Sequence, residues 1–287
     1  MSYNFVIFVK TYSRDFEHFK LMISSFNKHN VCHVPMFVSV PQSELGLFTS
    51  FKSDTVSIIS DESYAGEYFI KQSYFNRGIG YLNQQVCKLS FWECGFAENY
   101  LCVDSEVVFI RDFIPSDFMF DEHTPYTVLV MDKDLSCEKF YASQRSERET
   151  LIHRVFDAVG LHDPRLRTCH GNTMLNAKVL RSLKNDFMDA HGYNYEDLLR
   201  ISPYEFSWYN AWFQKCGLVK EMAVEPFFKT FHLRLEYTYS RLRQLTLEDY
   251  AKAYFGVILN GNWKRPALKY KNSGVGLKVL NKFLETL

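Results

Sequence analysis

A chain of 287 residues with 47% hydrophobic and 23% charged residues has globular composition, which excludes a wholly disordered protein. Lys plus Arg equals Asp plus Glu at 33 each, a balance that argues against nucleic acid as the main partner, since such binders are usually basic. The seven cysteines are odd in number and form no C-x-x-C pair, which disfavours a disulfide framework or a zinc site and fits a reducing cytoplasm. The start, MSYNFVIFVK, has no signal-peptide pattern, and no run of about 18 apolar residues exists to span a membrane.

Phe5–Val9 is an apolar run with two β-branched residues and predicts a buried strand ending at Thr11-Tyr12-Ser13. Phe16, Phe19, Leu21, Ile23 and Phe26 follow at roughly helical spacing. Pro35–Val40 reads as a second strand, Ser43–Phe51 as a short helix capped by Ser43, and Thr55–Ile59 as a third strand. Strand, helix, strand, helix, strand implies parallel βαβ units. Residues 61–77 read as loop and 79–97 as a helix. Tyr100–Val103 is a strand ending at Asp104, with Val107–Ile110 continuing extended. Tyr126–Met131 predicts a strand, Glu147–Val159 a helix, Arg167–Leu175 a loop or strand, and Ala177–Ala190 a helix. Pro203–Lys215 predicts a helix started by Ser202-Pro203, followed by strands at Leu218–Val224 and Phe227–Leu233. Beyond about residue 236 the texture changes. A capping box at Thr246-Leu247-Glu248-Asp249 predicts a helix to Ile258, and Lys264–Lys282 holds six basic residues and no acidic one. The expected organisation is an α/β domain over 1–235 and a small, basic, helical extension over 236–287.

The sharpest chemical feature is Tyr100-Leu101-Cys102-Val103-Asp104-Ser105-Glu106-Val107-Val108-Phe109, where two acids interrupt an apolar extended run. Residues i and i+2 of an extended chain point to one side, so Asp104 and Glu106 are expected to aim at one point near the C-terminal edge of a parallel strand. Ligands of open α/β sheets bind at that edge. Two carboxylates there suit Mg²⁺ or Mn²⁺, which share oxygen ligands with substrate phosphates. The bland alternative is an edge strand with two solvated acids.

This segment resembles the D-x-D strand of GT-A-type glycosyltransferases, and the wider pattern is similar to a bacterial family of predicted sugar transferases for cell-surface polysaccharides. Lys10-Thr11-Tyr12-x-x-Asp15, Gln84-Gln85-x-x-Lys88-Leu89 and Gly171-Asn172-x-Met174-Leu175-Asn176 carry the rest of the likeness. Glu106 departs from the common second Asp. The resemblance implies a GT-A-like, Rossmann-type, mostly parallel sheet flanked by helices. It also implies a nucleotide-diphosphate sugar donor, a divalent metal, and a glycan or lipid-linked glycan acceptor.

Within that resemblance Thr11, Tyr12, Arg14 and Asp15 form the nucleotide loop, although Ser13 and Asp15 also suit a helix start. Lys88 shares a helical stripe with Tyr81, Gln85 and Trp92 and would offset diphosphate charge; a surface lysine is the alternative. His170, Gly171 and Asn172 would touch the sugar or acceptor, or form an ordinary turn. Glu205, an acid among aromatics, is a candidate base, or a glutamate at a helix start. His232 ends an apolar strand and is the candidate third metal ligand, or a packed core histidine. The C-terminal basic segment either docks on the domain or contacts an anionic inner leaflet. Two rivals stand beside this reading. A nucleotidyltransferase is disfavoured because Val9–Ser13 contains no glycine. A non-catalytic scaffold with the same fold is disfavoured by the two intact acids.

Overall fold

The computed structural model describes residues 3–129, 142–162, 172–231 and 234–259 of the chain. Its centre is a five-stranded sheet in the order β3-β2-β1-β4-β7. The strands are β1 (Tyr3–Lys10), β2 (Met36–Val40), β3 (Val56–Ser60), β4 (Ala97–Asp104), β5 (Val107–Phe109), β6 (Thr127–Val128), β7 (Thr173–Asn176), β8 (Ala223–Val224), β9 (Phe228–Phe231) and β10 (Gly256–Leu259). β1 to β4 run parallel and β7 pairs antiparallel with β4. The α/β class and its mostly parallel sheet are as the sequence predicts. Phe5–Lys10 is buried residue after residue, as befits a central strand covered on both faces. The Phe16–His29 helix covers one face through Phe19, Met22, Ile23 and Phe26.

Strand order reverses between β1 and β4, the position where such sheets open a crevice. The register places Lys10 opposite Asp104, so the ends of β1 and β4 reach that crevice together. The Ile79–Ser90 helix feeds β4 through a short turn and is tied back to it by Tyr100 Oη, which donates to the Lys88 carbonyl at 2.8 Å.

Four expectations change. The extended run does not continue through Glu106: Ser105 and Glu106 form a turn, and β5 belongs to a second sheet, β5-β10-β9. The helix expected to run to Ile258 stops at Ala251, and Gly256–Leu259 is the middle strand of that second sheet. A helix start is a local signal, whereas this strand is stabilised by partners far away in sequence. The Leu218–Val224 strand shrinks to Ala223–Val224, and the 203–215 helix begins at Glu205 after Tyr204 rather than at Ser202. The C-terminal basic segment lies outside the described residues.

Gly256 shows how tightly the small sheet closes. A Cβ there would lie 2.6 Å from the Val108 carbonyl oxygen and 2.8 Å from the Phe228 ring. Gly256→Ala is therefore predicted to cost about 1–3 kcal/mol, read as a lower denaturation midpoint. An unchanged midpoint would show that the pairing accommodates the methyl group.

Candidate active site

The crevice holds a cavity of about 290 Å³. Its wall draws on both halves of the chain: Lys10 at the end of β1 with Tyr12 and Asp15 after it, Asp104–Glu106 between the two sheets, and Tyr204–Ser207 at the head of a late helix. The turn at Ser105-Glu106 thus does what the extended reading asked of it, since both carboxylates face one cavity.

Lys88 forms the floor. Its side chain is 5% exposed, and Nζ lies 3.0 Å from Asp104 Oδ1 and 2.9 Å from Glu205 Oε1. Burial alone would push its proton off, but the two carboxylates reverse this and hold the ammonium well above its ordinary range. Glu205 is equally buried, while the Asp104 side chain is 34% exposed and opens to the cavity. The surface-lysine alternative for Lys88 is therefore excluded.

Around this triad several polar atoms await partners. The Asp104 N–H donates to Asn172 Oδ1 at 2.6 Å, which leaves the buried Asn172 Nδ2 without a hydrogen bond among the described residues. Gln85 Nε2 donates to the Tyr81 carbonyl at 2.9 Å, and its buried Oε1 has no hydrogen-bond partner among the described residues. Both residues line the cavity. Unpaired buried polar atoms cost about 1–3 kcal/mol each, so their place in a cavity wall points to a ligand.

Electrostatic neighbours give the cavity a direction. At one end burial raises the Tyr12 hydroxyl, and Asp15 and Glu106 add to it. Burial also lifts the Asp15 carboxyl, with Asp104 adding and His18, Arg14 and Lys10 opposing. At the other end burial raises Tyr81, with Glu205 adding and Arg77 opposing. The order is Tyr12 and Asp15, then Glu106 and Asp104, then Lys88 and Glu205, then Tyr81 and Tyr204.

Of the residues expected at a site, Tyr12, Asp15, Gln85, Lys88, Asp104, Glu106, Asn172 and Glu205 meet in this cavity. Thr11 is buried, with its N–H on the Ser39 carbonyl, and both it and Arg14 lie outside the lining. His170, Gly171 and His232 lie outside the described residues. Sequence reading passed over Lys10, Arg148 and Tyr204 as site residues. Lys10 had a signal, a lysine closing the apolar run Phe5–Val9; it forms a buried pair with Asp61 at 2.9 Å. Arg148 and Tyr204 had none.

Among the described residues no three His, Cys, Asp or Glu side chains stand grouped for a metal. Two carboxylates on one cavity wall still fit Mg²⁺ or Mn²⁺, which commonly take one or two protein carboxylates and complete the shell with phosphate oxygens and water.

The sequence matches no protein-family model and no curated protein. Solved structures do match. An active-site mutant of LgtC superposes with a TM-score of 0.53 at 12% identity, over 98% of this chain and 95% of that one. Mouse xyloside xylosyltransferase 1 in its apo form gives 0.51 at 11% identity, over 93% of this chain and all of that one, its coverage being 100%. The galactosyltransferase LgtC in complex with donor and acceptor sugar analogues gives 0.50 at 12% identity, over 98% and 95%. The chain therefore has the GT-A-like fold of these glycosyltransferases. Among the described residues no helix is long and apolar enough to cross a membrane.

Proposed function

We propose that the protein is a metal-dependent glycosyltransferase that moves a sugar from a nucleoside-diphosphate donor to a glycan hydroxyl. One observation carries the reading: Asp104 at the end of β4 and Glu106 in the turn that follows line the switch-point cavity of a GT-A-like fold, with a charged lysine buried beneath them. The nucleoside occupies the Tyr12 end, where the ring offers a stacking face and Asp15 a hydrogen-bond acceptor. Asp104 and Glu106 hold the cation, which supplies charge neutralisation for the departing diphosphate. Lys88 holds Asp104 in place from below and adds fixed positive charge to the same region. Asn172 and Gln85 offer a donor and an acceptor to the ligand's polar groups.

In the transfer, the bond from the anomeric carbon to the diphosphate oxygen breaks and a bond to the acceptor oxygen forms. The acceptor hydroxyl loses its proton. Product configuration separates two roles for Glu205. Inversion makes it the base that takes this proton; retention leaves the proton to the departing diphosphate and Glu205 to the support of Lys88. The acceptor is a growing glycan, in keeping with the resemblance to surface-polysaccharide transferases.

The test is release of nucleoside diphosphate from a panel of sugar nucleotides with Mn²⁺ or Mg²⁺. Release from one donor, abolished by EDTA and accelerated by a glycan acceptor, is the expected result. No release from any donor with either metal would overturn the reading.

A further inference from the structure

Past Glu205 the cavity ends at two tyrosines, each faced by an arginine. The Arg77 guanidinium carbon lies 5.4 Å from the Tyr81 ring centre, and its Nη2 donates to Tyr204 Oη at 3.2 Å. The Arg148 guanidinium carbon lies 5.6 Å from the Tyr204 ring centre. Tyr81, Arg148 and Tyr204 all line the cavity. Helices Ile79–Ser90 and Ala142–Ala158, with the residue before Glu205–Cys216, bring them together.

The cavity's two lysines are already committed. Lys10 pairs with Asp61, and Lys88 with Asp104 and Glu205. Arg77 differs: among the described residues no carboxylate lies within 4.0 Å of it, and its buried Nε makes no hydrogen bond. Glu147 also favours its charged form, behind Tyr204 and Tyr81 in effect. A half-buried guanidinium with an unused donor carries a desolvation cost that an incoming anion offsets. Its planar fork matches the two oxygens of a carboxylate or phosphate. A tyrosine face beside it suits the apolar face of a sugar ring.

We propose that this end of the cavity is the acceptor subsite, and that the acceptor's reacting end carries an anionic group, a carboxylate or a phosphate, held by Arg77 and Arg148 over Tyr81 and Tyr204. The proposal rests on the glycosyltransferase reading, which puts the nucleotide at the opposite, Tyr12 end.

Three probes test it: 4-nitrophenyl β-D-glucoside, the matching glucuronide, and the glucoside 6-phosphate, which differ only at C6. Each is titrated into the protein with a nucleoside diphosphate and Mn²⁺ present, at about 50 mM salt so that screening is weak. At least one anionic glycoside is expected to bind roughly 10-fold tighter than the neutral one, a single charge-assisted contact being sufficient for that. The tighter of the two identifies carboxylate or phosphate as the source. The gap should close in Arg77→Met and in Arg148→Met and survive in part in Arg77→Lys, with stabilisation by nucleotide unchanged in all three. Equal affinity for the three glycosides, or none for any, with nucleotide stabilisation intact, overturns this inference alone. Absence of nucleotide stabilisation in the wild type overturns the parent reading as well.

Discussion

Replacing Lys88 with methionine is expected to destabilise the protein by about 3–5 kcal/mol and to abolish transfer, because it leaves a buried carboxylate without its counter-charge. Glu205 is buried to the same degree as Lys88 and pairs with it at 2.9 Å. Asp104 is a lesser liability, since its side chain is 34% exposed and reaches solvent in the cavity. The loss should appear as a fall in Tm of about 6–20 °C at pH 7. Its pH dependence separates this cause from lost packing. The buried, unpartnered carboxyl of the variant takes up a proton more readily in the folded state than in the unfolded one. Its stability therefore rises relative to wild type as the pH falls, and the deficit shrinks towards pH 4. A cavity would leave the same deficit at every pH. Adding Glu205→Gln to the variant should return part of the stability, since the two residues share one interaction and their effects do not add. A single variant with wild-type Tm, or with a deficit flat in pH, would show that the pair contributes no charge coupling.

Most of the central sheet was legible in the sequence because its strands are short apolar runs punctuated by helices of clear period. β1, with Phe5–Lys10 buried throughout, and β4, ending at Asp104, needed no tertiary information. Asp104 and Glu106 were legible for the same reason, as charges where burial forbids waste. What could not be read was mutual placement. Nothing local distinguishes Lys88 from a solvated lysine on a helix; Glu205, far along the chain, decides it. Arg77 and Arg148 look like ordinary surface charges until Tyr81 and Tyr204 are seen beneath them. The misread stretch before Leu259 fails for a related reason. Thr246 and Asp249 form a real capping box, and the helix they start is simply short. Tyr254, Phe255, Val257 and Ile258 continue an apolar texture that suits either period, and only β5 and β9 on its two sides make it a strand.

Replacing Asp104 with asparagine should separate ligand binding from stability, the reverse of the Lys88 result. The amide keeps an oxygen for Lys88, and Glu205 still balances the ammonium, so the free protein should lose only about 1 kcal/mol. The ligand effect is larger. For the wild type, a matching nucleoside diphosphate at about 100 times its dissociation constant with Mn²⁺ adds roughly 2.7 kcal/mol. For a domain of this size that is a Tm gain of about 5–10 °C. A carboxamide is a poorer ligand for a hard cation than a carboxylate. The part of the gain that depends on Mn²⁺ should therefore vanish in Asp104→Asn and, in the wild type, on adding EDTA. Any metal-independent part should remain in both, because it arises from the Tyr12 end of the cavity, where Asp104 makes no contribution to stacking. An Mn²⁺-dependent gain of wild-type size in Asp104→Asn would move the cation away from β4. A gain that never depends on Mn²⁺ would leave Lys88 as the charge that balances the diphosphate, and would turn Asp104 from a metal ligand into the residue that holds Lys88 beneath the cavity.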